Sequence, residues 1–346
     1  MLNDIESSLT PWQKIGRVIK NASSIKEGIE MSGLNWNTLS ISLRRSDNGD
    51  SIDDIAKLFV RSDNGQALGI VGSKTYPLQN EDAFDFFEPY IKSGEVSLET
   101  AGYFRRGRRV WVLAKINREN SVIVPGDEVS KFILISNSHD GSTAVRIGFT
   151  PIRVVCANTL AAAHANKASK LIRVRHSKKV KNNVDNIREV MNLANAEFEE
   201  SAELYRSLAR KNINATDLKN YVKAVFELGN EAYISKRSKK ILNNILRNIE
   251  KRTGITLQLL TSLEQSEQKM NKIGSNILED VIKNFESGRG TENIQSRGTL
   301  WTAYNAVNEF FNYQRGNNDE SRLESLWFGQ SYRDNNKALN VALSML

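Results

Sequence analysis

The stretch Val145-Arg146-Ile147-Gly148-Phe149-Thr150-Pro151-Ile152-Arg153-Val154-Val155-Cys156-Ala157-Asn158-Thr159-Leu160 divides the chain into two kinds of sequence. Val145, Ile147 and Phe149 alternate with small or polar residues, the period of a strand with one buried face. Pro151 is the last proline: the other four (Pro11, Pro77, Pro89, Pro125) precede it, and 13 of the 21 glycines lie on the same side. Proline and glycine punctuate turns and interrupt helices, so the N-terminal half should be rich in strands and the C-terminal half mostly helical.

Spacing on either side agrees. Leu39, Ile41 and Leu43 alternate, as do Val110, Val112 and Ile116 around Trp111. Beyond residue 184, apolar residues recur every three or four positions: Ile187, Met191, Ala194, Phe198, Ala202 and Tyr205; Met270, Ile273, Ile277, Val281 and Phe285; Leu300, Tyr304, Val307 and Phe311. These are the buried stripes of helices. The fold expected is α+β, with an antiparallel, curved sheet in the N-terminal half and a mostly helical C-terminal half. Three regions are expected: an N-terminal helix and strands (1–66), a β-rich core with a basic segment (67–184), and a helical domain (185–346).

Turns can be placed. Arg45-Ser46-Asp47-Asn48-Gly49 recurs as Arg61-Ser62-Asp63-Asn64-Gly65, and Asn-Gly suits tight hairpins. Residues 81–92 read as one helix opened by Asn80, with Ala83, Phe84, Phe87 and Ile91 on one face. Pro151 to Leu160 reads as a strand entering a helix, Asn158 or Thr159 its cap and Leu160 to Ala168 its body. Leu171 to His176 reads as a final strand.

Charge is localised. The chain has 346 residues and a net charge of +8. Residues 1–140 carry 17 basic and 19 acidic side chains and residues 185–346 carry 22 and 21, whereas residues 141–184 carry nine basic and no acidic ones. This interval contains Arg153, Lys167, Lys170, Arg173, Arg175, His176, Lys178 and Lys179 and points to an anionic partner. A helix starting at Asn158 would add backbone N–H groups suited to phosphate. A second basic cluster, Tyr103-Phe104-Arg105-Arg106-Gly107-Arg108-Arg109-Val110-Trp111, has the form of a hairpin with an arginine tip and flanking aromatics. Arg105, Arg106, Arg108 and Arg109 would pair with phosphates while Tyr103, Phe104 or Trp111 stack on bases. The bland alternative is a solvated turn with its aromatics packed inwards.

Enzymatic readings are less well supported. Gly69-Ile70-Val71-Gly72-Ser73-Lys74-Thr75 lacks the glycine next to lysine and the following helix of a phosphate loop. His139, His164 and His176 lack metal-site spacing, and lone Cys156 lies between apolar residues. Neither a cofactor nor a metal is expected. No apolar run approaches the length of a membrane span. One cysteine leaves no framework of bridges, so the setting expected is the reducing cytoplasm.

Several motifs occur in an order that resembles the phage/plasmid-like family of uncharacterised proteins, catalogued as a domain of unknown function. They are Leu68-Gly69-Ile70-Val71-Gly72 with Tyr76-Pro77-Leu78-Gln79-Asn80; Gly107-Arg108-Arg109-Val110-Trp111; Ser138-His139-Asp140-Gly141-Ser142; Arg153 to Leu160; Arg173-Val174-Arg175-His176; and Gly298-Thr299-Leu300-Trp301 through Val307, followed by Phe328-Gly329 and Lys337-Ala338-Leu339. The resemblance spans about residues 24–340 and implies a genetic neighbourhood more than an activity. The leading expectation is a nucleic-acid-binding protein of phage or plasmid replication or recombination that binds or anneals single-stranded DNA as a homo-oligomeric ring. The alternatives are an enzyme acting on nucleic acid or a nucleotide around His139, Asp140 and Cys156, and an oligomeric interaction or inhibitor protein.

Overall fold

The structure, a computed structural model, describes residues 9–143, 145–161, 172–174, 184–228, 274–293 and 295–346. The chain is α+β. Its main sheet is antiparallel and curled, and is built from β1 (Arg17–Val18), β5 (Val96–Phe104), β6 (Arg109–Ile116), β7 (Ser121–Val124), β8 (Asp127–Ser138), β9 (Val145–Arg153), β10 (Asn158–Thr159) and β11 (Ile172–Val174). Strands run in the order β1-β5-β6-β8-β9-β10, with β7 added to β8 and β11 to β9. A smaller sheet holds β2 (Thr38–Ser42), β3 (Ala56–Arg61) and β4 (Ala67–Gly72).

The central strands are apolar on both faces because both faces are covered. Trp111 and Leu113 of β6, with Leu134 of β8 and Ile152 of β9, pack against the C-terminal helices. Val110, Val112 and Ala114, with Ile133, Ile135 and Ile147, face the N-terminal elements: α1 (Ile25–Ser32), the small sheet, and α2 (Asn80–Phe84). The helical layer comprises α4 (Val184–Arg210), α5 (Ala215–Phe226), α6 (274–287), α7 (Leu300–Glu309), α8 (Asp319–Phe328) and α9 (Gln330–Leu343). Leu300, Tyr304, Val307 and Phe311 are fully buried, and α7 is buried along its whole length, so it forms the centre of that layer. The face Phe198, Ala202 and Tyr205 of α4 is also buried; Met270 and Ile273 lie outside the described residues.

The two Arg-Ser-Asp-Asn-Gly copies fold alike. Arg45 and Arg61 each pair with the aspartate two residues on, and Gly49 and Gly65 adopt φ of 76° and 69°. The second copy closes the β3–β4 hairpin as expected.

Two local expectations need correction. Residues 81–92 do not form one helix: a 3-10 turn at Asp85–Phe87 separates α2 from α3 (Glu88–Lys92), and Pro89 sits in the first turn of α3, where its missing N–H costs least. Asn80 is not the cap; its buried amide donates to the carbonyl of Leu34. Nor do Asn158 and Thr159 open a helix. A turn at 154–157, with Ala157 at φ 52°, folds the chain back so that both residues pair with β9. The helix N-terminus expected there as a phosphate site is therefore absent; residues 162–168, which would have formed its body, lie outside the described residues.

Candidate nucleic-acid interface

The β5–β6 hairpin carries the arginine-rich turn at its tip, with Phe104 paired to Arg109. Arg105, Arg106 and Gly107 all have positive φ (52°, 60° and 101°), a conformation that costs a non-glycine residue about 1–2 kcal/mol. Gly107 is required for space as well, because a Cβ there would come within 3.2 Å of Arg61 and 3.3 Å of Trp36.

The four arginines of the tip divide into two pairs. Arg105 donates its backbone N–H to Glu320 at 2.7 Å and its Nε to Glu324 at 2.9 Å. Arg109 is half-buried, pairs with the other oxygen of Glu324 at 3.2 Å, and lies over the Phe328 ring at 4.7 Å. Its burial holds the guanidinium below its usual basicity, with Glu324 opposing the effect. Arg106 and Arg108, by contrast, are exposed and form no ion pair or hydrogen bond through their side chains among the described residues.

The aromatics divide as well. Phe104 and Trp111 are fully buried, stacked on each other at 5.8 Å and packed against Trp327. They are core residues, not a stacking platform, because the covered sheet turns both towards the helical layer. Tyr103 points the other way and is 41% exposed. Arg61 lies between rings, 4.5 Å from the centroid of Trp36 and 5.3 Å from that of Tyr103, and is bound to Asp63. Burial works against the charge of Arg61, but Asp63 outweighs it and holds the guanidinium above its usual basicity. Sequence reasoning missed this stack. The Arg-Ser-Asp-Asn-Gly echo singled out Arg61, but nothing local shows that β3 delivers it to Tyr103 at a hairpin tip 42 residues away.

The other expected contacts are placed as follows. Arg153 is 2% exposed and clamps Asp127 through Nε (2.8 Å) and a terminal nitrogen (2.6 Å). It also donates to the carbonyl of Gly290 at 3.1 Å. Burial opposes its charge, yet Asp127 raises its basicity above the usual value. Asn158 is fully buried and donates to the carbonyl of Asn305. Both hold the sheet to the helical layer rather than facing solvent. Arg173 occupies the β11 position opposite Arg146 of β9. Lys167, Lys170, Arg175, His176, Lys178 and Lys179 lie outside the described residues.

His139, Asp140 and Cys156 are held by different partners. The His139 ring sits between Thr38 Oγ1 (3.0 Å) and Asn80 Oδ1 (2.8 Å), beside Trp36. Asp140 accepts from Ser138 Oγ and the Ser142 N–H; burial raises its pKa, but these bonds and Arg109 bring it below the usual carboxylate range. The Cys156 thiol is buried 3.8 Å from Arg153, and burial pushes its pKa up to about 11. Among the described residues no group of His, Cys, Asp and Glu is arranged to hold a metal, and no helix is long and apolar enough to cross a membrane.

A family model described as "Domain of unknown function (DUF932)" matches residues 67–338, more than three quarters of the chain. No curated protein and no solved structure matches.

Proposed function

This chain belongs to the DUF932 family, whose description carries no activity, and we propose its function from surface chemistry: it binds single-stranded nucleic acid, DNA foremost, in the replication or recombination of a phage or plasmid. The observation that carries this reading is the exposed Tyr103 ring, backed by Arg61 and sharing its hairpin tip with the unengaged guanidinium groups of Arg106 and Arg108. One base stacked on such a ring contributes about 1–3 kcal/mol without sequence preference. The two arginines supply phosphate contacts, and a backbone with three successive positive φ angles keeps them at the apex. The acid-free interval 141–184 extends the positive charge on the same chain.

Anisotropy of a labelled single strand tests it. Affinity should fall steeply between about 50 and 200 mM salt, the mark of counterion release. The combined change Tyr103→Ala, Arg106→Ala and Arg108→Ala should weaken binding at least about fivefold, the low end of what one lost base stack alone is worth. No binding at low salt, or unchanged affinity in the triple variant, rejects the proposal.

One observation favours self-association beside this activity. The outer face of the small sheet presents Ile41 and Ile70, 46% and 65% exposed and both in register with Leu58, and beside them Leu39, 47% exposed. Contiguous apolar surface of this kind marks an interface, and a second copy of this chain is the occupant that oligomeric strand binding needs. Light scattering should show an oligomer that Ile41→Lys dissociates; a monomer at micromolar concentration rejects this addition.

A further inference from the structure

One edge of the small sheet is open. β2 is its outer strand, paired to β3 on one side, and antiparallel pairing turns the backbone groups of alternate residues to opposite sides. The carbonyls of Asn37 and Leu43 accept from Ser62 and Ile52, and the Arg45 N–H donates to Asp50, so the odd-numbered residues of this stretch face β3. Arg44 continues the ladder as a bridge to Ser51. The even-numbered residues Thr38, Ser40, Ser42 and Arg44 therefore face outwards. Gln79 occupies both backbone groups of Thr38, accepting its N–H at 2.8 Å and donating to its carbonyl at 3.2 Å. The backbone N–H and C=O groups of Ser40, Ser42 and Arg44 meet no partner among the described residues.

Edge strands are ordinarily blunted by charge, proline, a bulge or a covering element. β2 reads Thr-Leu-Ser-Ile-Ser and is exposed at every position after Thr38. The register shift of the small sheet lies between β3 and β4 instead. Other edges are short or capped: β1 and β10 have two residues each, and Arg206 takes the Val122 carbonyl of β7. The open stretch is also complementary to itself. Its outward residues are centred on Ser42, so a two-fold axis there sets Ser42 against Ser42 of a second copy and Ser40 against Arg44 of that copy. Each pair exchanges two hydrogen bonds, about six in all. The same register sets Ile41, 46% exposed, against Leu43 of the second copy, in the kind of pair whose side chains approach most closely.

We infer that two copies of this chain join edge to edge through β2, antiparallel about Ser42, and merge their three-stranded sheets into one of six strands. This rests on the self-association reading above, which it deepens by placing the contact at the strand edge, and it is independent of nucleic-acid binding. The pairing leaves Ile70, on the far strand β4, outside the contact.

Light scattering over a dilution series, read beside circular dichroism, tests it. The wild-type chain should be a dimer. Ser40→Pro removes an outward N–H and spares the bonds to β3, so it should raise the dissociation constant at least about tenfold, one hydrogen bond being lost from each copy, with the spectrum unchanged. Ser40→Ala and Ile70→Lys should leave the dimer intact. Should the proline variant lose its fold, single cysteines decide: the native Cys156 is buried, and a short bis-maleimide should couple Ser42→Cys chains to each other and not Ile70→Cys chains. A folded Ser40→Pro variant that associates like the wild type, or coupling through Ile70→Cys and not Ser42→Cys, overturns the edge contact and leaves self-association to the sheet face. A wild-type chain that is monomeric at micromolar concentration overturns both.

Discussion

The carboxylate of Asp127 is shared between Arg153 and Trp301: Oδ1 and Oδ2 accept from the guanidinium at 2.8 and 2.6 Å, and Oδ2 also accepts from the Trp301 indole N–H at 2.8 Å. One buried acid thus joins β8, β9 and α7, and Arg153 lies 5.6 Å from the Trp301 centroid.

Removing one member of a buried pair leaves the other charge uncompensated. Asp127→Asn should therefore cost about 3–5 kcal/mol, read as a lower urea midpoint. The double change Asp127→Leu with Arg153→Met should cost much less than the two single changes summed. A single change within about 0.5 kcal/mol of neutral, the range of ordinary surface substitutions, would show that the clamp contributes little.

Glu324 should affect two measurements in opposite directions. It holds Arg105, which is largely exposed, and Arg109, which is not. Glu324→Gln should lower stability by about 1 kcal/mol, the exposed pair contributing little of that. The same change should raise affinity for a single strand by a few-fold, because the exposed Arg105 guanidinium is released towards phosphate. A melting curve and an anisotropy titration on one preparation check both signs; lower stability with unchanged affinity would confine Glu324 to a structural role.

Arg106→Gly separates charge from conformation. The residue has φ of 60°, where glycine is unstrained. Relief of about 1–2 kcal/mol of left-handed strain, less the 0.5–1 kcal/mol that glycine's unfolded-state freedom costs, leaves stability unchanged or raised by about 1 kcal/mol. Strand affinity should fall all the same, because a phosphate contact is lost. An equal fall in affinity for Arg106→Lys, which keeps the charge and the turn, would assign the contact to the paired N–H bonds of the guanidinium, and unchanged affinity for Arg106→Gly would remove the contact altogether.

Cys156 should resist alkylation at pH 8 in the native protein and react promptly in denaturant. Its thiol is buried and its pKa raised from 9.0 to about 11, so almost no thiolate is present. The linkage has a definite sign: a folded pKa above the unfolded one favours the protonated native state, so the contribution is complete below about pH 9 and is lost as pH rises towards 11. Rapid labelling of the native protein would contradict this burial.

Gly69 marks where the small sheet meets the main body. A Cβ there would lie 2.6 Å from the Asp140 Cα, a backbone atom with little room to yield. Gly69→Ala should destabilise by about 1–3 kcal/mol, the usual cost of overpacking, and loosen the contacts around His139, visible as faster amide exchange at Thr38 and Asn80. An unaltered melting temperature would mean that the sheet can move as a unit.

Patterns of period two and near four were enough to read β2, β6 and β9, the helices α4, α6 and α7 and the β5–β6 hairpin, because backbone geometry imposes those periods on any chain with a buried face. Glycine and Asn-Gly placed the turns for a similarly local reason. Which of two alternating faces turns inwards is not local, so Tyr103 and Trp111, both aromatic and both beside arginines, could not be told apart before the sheet was seen covered by Trp327 on one side and by Trp36 and Arg61 on the other.

By itself the sequence determined the α+β class, the position of the arginine turn and the concentration of charge in residues 141–184. Only the tertiary structure decided which of those charges are available. Arg153 counts as one of nine positive charges in residues 141–184, but its counterion is 26 residues away and the tryptophan sharing that counterion 174 residues from Asp127. Composition records charge, whereas burial and pairing depend on contacts between distant segments, and these exist only once the sheet and the helical layer have closed on each other.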